Sequence, residues 1–235
     1  RRHPDPTAKQ LRMLQRILHR SRAGTLRVEP HIHCVVHGEK ASVKQAWFRG
    51  FRDAFVWYDY FSVPQPWAPE AESSQHCDSH TDLGKAVMSI PAYVDRCEFF
   101  MILAPEVEHS EMPGCMLTYQ TWKQRGWCRL ERVARALSPN KTHMLLVTQA
   151  SVLYEIGPKQ WLFDPVGEGD FSAPADRERL APVLASLLAR KLQALFDEGS
   201  IGAYQLLMAR RAVLMRGFGI DHCSVRAPSC VGSLA

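Results

Sequence analysis

The sequence predicts an α/β fold, a mostly parallel sheet flanked by helices with a helical extension at its C-terminal side. Three observations predict it. Segments of helical periodicity alternate with short runs rich in β-branched and aromatic residues from about residue 5 to residue 148. The run from Glu98 to Pro105 is continuously apolar and bounded by a proline, the pattern of a strand covered on both faces. The composition, 46% hydrophobic and 23% charged over 235 residues, is that of a packed globular chain. At about 100–200 residues per domain, this length allows one large domain or two small ones. Predominant disorder, a collagen-like repeat and a membrane span are excluded: the longest apolar run falls far short of the ~18 residues a span needs.

Residues 5–20 read as a helix, with Asp5 as N-cap and Pro6 at the first helical position. Leu11, Leu14, Ile17 and Leu18 fall on one face, and Arg12, Arg16 and Arg20 form a second stripe. Residues 31–37 (HIHCVVH) read as a short strand. Residues 41–53 look helical, with Val43, Trp47 and Phe51 at spacings of four. The stretch 54–63 (AFVWYDYFSV) is the clearest strand in the chain by composition, and it ends at Pro64-Gln65-Pro66. A polar loop follows to residue 80. Residues 81–97 are helical with one break, a fresh start at Ser89-Ile90-Pro91. After the strand at 98–105 come a loop (106–118), a helix (119–137), a strand (142–148) and a loop (157–174). Two helices, 176–198 and 200–216, then carry apolar stripes such as Leu180, Leu184, Leu187, Leu188, Leu192 and Leu195. The domain expectation is an α/β domain over 1–150, a loop plus helical extension packed on it over 151–218, and a flexible tail over 219–235.

Charge is unevenly placed. The net charge is +5, yet residues 1–52 alone hold twelve Lys/Arg against three Asp/Glu. Such an excess reads either as a solvated helix face or as a surface for phosphate or an acidic partner. No helix-turn-helix, zinc-finger or RNA-recognition pattern accompanies it, so specific nucleic-acid binding is not expected. The seven cysteines are odd in number, irregularly spaced and without CxxC, which points to a reducing, cytoplasmic setting. His31, His33, Cys34 and His37 do not suit one tetrahedron, and His76, Cys77 and His80 have no partner at finger spacing. No metal site is expected.

Arg125-Gly126-Trp127-Cys128-Arg129-Leu130-Glu131 opens a helix directly after a loop. Trp127, Leu130, Val133, Ala134 and Leu137 form an apolar stripe, and Glu131 lies at its rim one turn from Trp127. A carboxylate there is half desolvated, which suits either a functional acid or an edge glutamate paired with a neighbouring arginine. Cys128 reads as a small buried hydrophobe, and Gly167-Glu168-Gly169 as a turn.

Together with 55–65 and 89–105, the W-C-x-x-E block resembles the Toll/interleukin-1 receptor-like (TIR-like) domains, related to heterokaryon-incompatibility-like domains, of the type found in large families of unicellular eukaryotes. The resemblance covers about residues 3–148 and implies a Rossmann-like, flavodoxin-like sheet. It differs in two ways: the family's first strand would precede Arg1, and residues 25–53 are an insertion. If the first strand is absent, 31–37 is the segment expected to fill its slot, or else a gap separates strands 55–63 and 98–104.

The resemblance implies cleavage of the nicotinamide–ribose bond of NAD by Glu131, with NAD as substrate and no cofactor. Nicotinamide leaves neutral from a pyridinium, so one ionised carboxylate that stabilises an oxocarbenium-like ribose is chemically sufficient. Asp59 would line the pocket at a strand end or cap the following turn. Ser62, Gln65 and Trp127 are further pocket candidates, and Trp67 would stack on a base or anchor its loop. The alternative is a non-catalytic signalling module that self-associates with like domains.

Overall fold

The structure, a computed structural model, describes residues 7–64, 82–109, 112–139, 143–157 and 160–219. Asp5, Pro6, Gln65, Trp67, the His76-Cys77-His80 group and the tail after 219 lie outside the described residues. The chain divides into two compact units, Arg1–Lys123 with Asn140–Gln160, and Gln124–Pro139 with Trp161–Ala235.

The first unit is a mixed α/β layer structure. Its elements in chain order are α1 (Lys9–Arg22), β1 (Arg27–Pro30), α2 (Ile32–Val36), a 3-10 segment (Gln45–Arg52), α3 (Asp59–Ser62), α4 (Asp82–Arg96), β2 (Phe99–Leu103), β3 (Val107–Glu108), β4 (Met116–Leu117), α5 (Tyr119–Gln124), β5 (His143–Gln149) and β6 (Val152–Ile156). Among the described residues four strands form one sheet in the order β1-β6-β5-β2. β1 pairs parallel with β6 and β2 parallel with β5, while β5 and β6 form an antiparallel hairpin. The sheet is mostly parallel, as the alternation implied. The pairing of 98–104 with 142–148 is as expected, in the register Met101↔Leu145.

β5 is buried on both faces because its apolar residues point both ways. Leu145 and Val147 pack with Leu153 against Met13 and Ile17 of α1 and Phe48 of the 3-10 segment. Met144 and Leu146 face the other way, against Ile102, Tyr119 and Ile156. The two-residue period of a strand thus feeds two apolar layers from one short sequence.

Several expectations are corrected. Residues 31–37 are not a strand: α2 occupies them, with the His31 side chain accepting from the His33 N–H. Gly38, at φ +69°, follows the helix in the left-handed conformation that glycine supplies without strain. This segment therefore fills no slot in the sheet; the strand lies just upstream, at the edge, where Pro30 can be tolerated. Residues 54–63 are not a strand either. Phe55 is fully exposed and Val56 half so, and α3 closes the stretch with Ser62 N and Phe61 N bonded to Tyr58 O. Without a ladder neighbour, β-propensity has nothing to pack against. Three parallel strands 55–63, 98–104 and 142–148 are thus reduced to the last two. Finally, α4 is continuous through Pro91: the Ser89 hydroxyl donates back to Lys85 O at 2.8 Å instead of capping a new helix.

The second unit comprises α6 (Gly126–Leu137), 3-10 turns at Gln160–Phe163 and Val166–Glu168, α7 (Pro174–Asp197) and α8 (Ile201–Leu214). The expected helix over 119–137 is broken at Arg125. There Gly126 N donates to Asp170 O and Asp170 N donates to Gln124 O, so a loop strand substitutes for one helical turn. Leu130, Val133, Ala134 and Leu137 are buried in α6, and Leu180, Leu184, Leu187, Leu188 and Leu192 in α7, as their spacing predicted. α7 packs against both α6 and α8.

Two ties hold α6 to the 160s loop. Arg132, 1% exposed, bonds Asp164 Oδ2 through its NH2 group at 2.7 Å, and Arg129 NH1 donates to Pro165 O at 2.9 Å. Gly167 passes directly over the backbone of Arg216 and Gly217; a methyl group there would stand 2.5 Å from Arg216 O. Among the described residues no helix is long and apolar enough to cross a membrane.

Candidate functional site

The residues expected to form a site fall into two pairs. Trp127 and Glu131 stand one turn apart on α6, in the second unit, and both are half-buried. The Trp127 indole donates to Asp176 Oδ2 at 3.1 Å, which gives it a structural partner at the start of α7. Asp59 and Ser62 share α3 in the first unit, and both are exposed. Asp59 sits in the first helical turn, where a negative charge is favourable, and Ser62 Oγ accepts from Tyr58 N at 3.2 Å. Cys128 is buried, as a small hydrophobe would be.

A polar cluster that sequence reasoning did not single out lies where β5 and β6 meet the 41–43 loop. The Glu155 carboxylate accepts from Ser42 N at 2.6 Å and Val43 N at 3.0 Å, and its other oxygen takes the Ser42 hydroxyl. His143 Nδ1 lies 3.1 Å from that second oxygen. Burial alone would push the Glu155 carboxyl up; the Ser42 hydroxyl, the Val43 and Ser42 amides and His143 outweigh it, and the net shift is downward. Serine, histidine and glutamate together suggest an acyl-transfer triad, but the wiring is wrong. The serine hydroxyl donates to the carboxylate, and the serine oxygen, at 3.5 Å, and the carboxylate both meet the same imidazole nitrogen, Nδ1, so the ring does not bridge them as a triad histidine does. The cluster is a clasp that fixes the loop to the central β5–β6 hairpin of the sheet.

The clasp has a testable pH signature. A carboxyl whose folded pKa is depressed contributes stability that is present above its unfolded value of about 4.3 and lost as pH falls through the folded one. Glu155→Gln should therefore destabilise by about 1–2 kcal/mol at neutral pH. In thermal melts the gap between wild type and variant should close as pH drops below about 4. A gap that stays constant down to pH 3 would mean that the clasp does not titrate as described.

Two grooves of the first unit lie elsewhere. α1 and the turn from β5 to β6 flank an open groove of about 800 Å³. Its walls are Arg12, Arg16, His19 and Arg20 on one side and Gln149 and Ser151 on the other. A second groove of about 320 Å³ shares Arg12, Arg16 and Gln149 and adds Lys9 and Thr148. None of the expected site residues lines either groove. No carboxylate lines them, and among the described residues Arg12, Arg16 and Arg20 make no ion pair.

The construction follows from the sequence. The apolar stripe of α1 buries Met13, Leu14 and Ile17 against the sheet, which turns the i, i+4, i+8 arginines outward beside it. Thr148 and Gln149 are at the C-terminal end of β5, the end of a strand beyond which open α/β sheets receive ligands. The arginine stripe was visible in the sequence. The facing wall was not, because the hairpin that brings Gln149 and Ser151 to α1 lies in residues 149–156, to which the sequence assigned no element.

A comparison with protein-family models, curated proteins and solved structures finds no match for the chain. Among the described residues no group of three or more His, Cys, Asp or Glu could hold a metal ion.

Proposed function

We propose that the α/β unit is an interaction module that recognises an anionic ligand or partner in the α1 groove. The observation that carries this reading is the row of three arginines, one per helical turn, in a groove without a lining carboxylate. Like charges one turn apart repel by about 0.2–0.5 kcal/mol per pair. An arrangement that costs stability and has no counter-charge among the described residues is the expected signature of a binding surface.

Retention on a phosphocellulose resin tests it. Arg12→Glu with Arg16→Glu should elute at markedly lower salt than wild type, by more than the change in net charge produces when two exposed arginines elsewhere, Arg22 and Arg27, are reversed. Equal elution of the two double variants would sink the reading.

The TIR-like resemblance supplies a second reading, which rests on Glu131. Its half-buried place at the rim of the α6 stripe, within the W-C-x-x-E block, favours a carboxylate kept for chemistry over a solvated one. In this reading the chain is a signalling domain that cleaves NAD at the nicotinamide–ribose bond or, without turnover, self-associates with like domains. Among the described residues Cys34 and Cys115 are free thiols, which supports a cytoplasmic setting. Nicotinamide release by the full chain should fall at least a hundredfold in Glu131→Ala. Equal slow release from both proteins removes the enzyme, and light scattering then decides whether a self-associating module is left.

A further inference from the structure

We propose that the α1 groove is built for a compact, soluble polyphosphate: a small molecule that carries several phosphates on one hydroxyl-bearing scaffold. This rests on the anion-recognition reading and narrows it to one ligand class.

The spacing of the charges is the first argument. Residues four apart on a helix rise about 6 Å, so Arg12, Arg16 and Arg20 are rooted along about 12 Å. One orthophosphate cannot engage such a row. A ligand that satisfies it carries separated anionic groups, and each planar guanidinium can take a phosphate in a two-point fork.

The remaining wall is the second argument. Gln149 and Ser151 are neutral and can both donate and accept, which suits hydroxyls and phosphate oxygens on the ligand's far side. The groove, about 800 Å³ and open to solvent, has room for such a ligand.

The groove lacks what other polyanions need. No Phe, Tyr or Trp lines it, so bases find only the His19 ring and the guanidinium planes to stack on, a weaker platform than a row of large aromatics. The only apolar lining residue of the larger groove is Ala150, so nothing there would enter a bilayer beside a phosphorylated lipid headgroup.

Calorimetric titration of the full chain with inositol hexakisphosphate as probe tests the proposal. One saturable site is expected, with affinity at least about a hundredfold above that for orthophosphate. Arg16→Gln should weaken it about tenfold, and Arg16→Lys, which keeps the charge but loses the fork, by less. The thermal midpoint of Arg16→Gln without ligand should not fall, since the change relieves repulsion.

Equal affinity for the probe and orthophosphate, or an unchanged affinity in Arg16→Gln, would overturn the proposal. Stronger Arg16-dependent binding to a single-stranded RNA homopolymer, or to phosphoinositide-containing vesicles than to the soluble probe, would overturn it while the anion-recognition reading stood. If no probe responds to Arg16, both fall.

Discussion

Asp164→Ala is expected to destabilise the second unit by about 3–5 kcal/mol, a large part of a typical domain's total stability. Arg132 is 1% exposed, and its guanidinium bonds Asp164 at 2.7 Å. A second guanidinium nitrogen, NH1, is already buried without a hydrogen-bond partner. Removing the carboxylate would leave a buried positive charge on α6 without the counter-charge it has among the described residues. The informative control is the double change Arg132→Met with Asp164→Leu. It removes both charges and should recover most of the loss, because a well-packed apolar pair often matches a buried ion pair. Chemical denaturation of the two variants checks this. If Asp164→Ala costs under 1 kcal/mol, the guanidinium is better solvated than its burial implies.

Leu145→Ala should cost about 2–5 kcal/mol in the first unit. Leu145 is fully buried at the middle of β5, between Met101 of β2 and Glu155 of β6 in the ladder, and packs into the cluster with Ile17, Phe48 and Leu153. The rigid strands on both sides limit how far the cavity can collapse. Leu206→Ala makes a matched control: the same atoms are removed from an exposed position on α8, and the change should stay within about 0.5 kcal/mol. Comparable losses at the two sites would contradict the assigned core.

Elements that announce themselves by burial were legible in the sequence. β5 and β2 are continuous apolar runs, and α1, α6 and α7 carry stripes at helical spacing, so each reveals its buried face locally. What failed was everything decided by a distant partner. Residues 54–63 have the composition of a strand, but no strand edge meets them and they end in the short α3. β1 has a poor composition for a strand and exists because β6 offers it a parallel edge. β6 was missed because a hairpin return two residues after β5 runs against the alternation that predicts crossovers. The break at Arg125 depends on Asp170, 45 residues on, whose backbone bonds replace a helical turn.

The same rule separates the candidate sites. The arginine row could be seen from spacing in one helix, whereas the Glu155 clasp joins residues more than a hundred positions apart.

The interleaving of the two units sets an order of events at the ribosome. All described strands of the sheet have left the ribosome once Ile156 has, and nascent domains tend to fold as their chains complete. α6 has emerged by then, but Asp164, Val166 and the leucines of α7 have not. For that interval Leu130, Val133 and Leu137 form an amphipathic helix face without its partners, and Arg132 has no carboxylate. A chaperone that binds short apolar segments would find its site there, and release would follow the appearance of α7. Neither unit can be separated by a single cut in the gene: any break that frees the helical unit from the sheet also removes α6 from it.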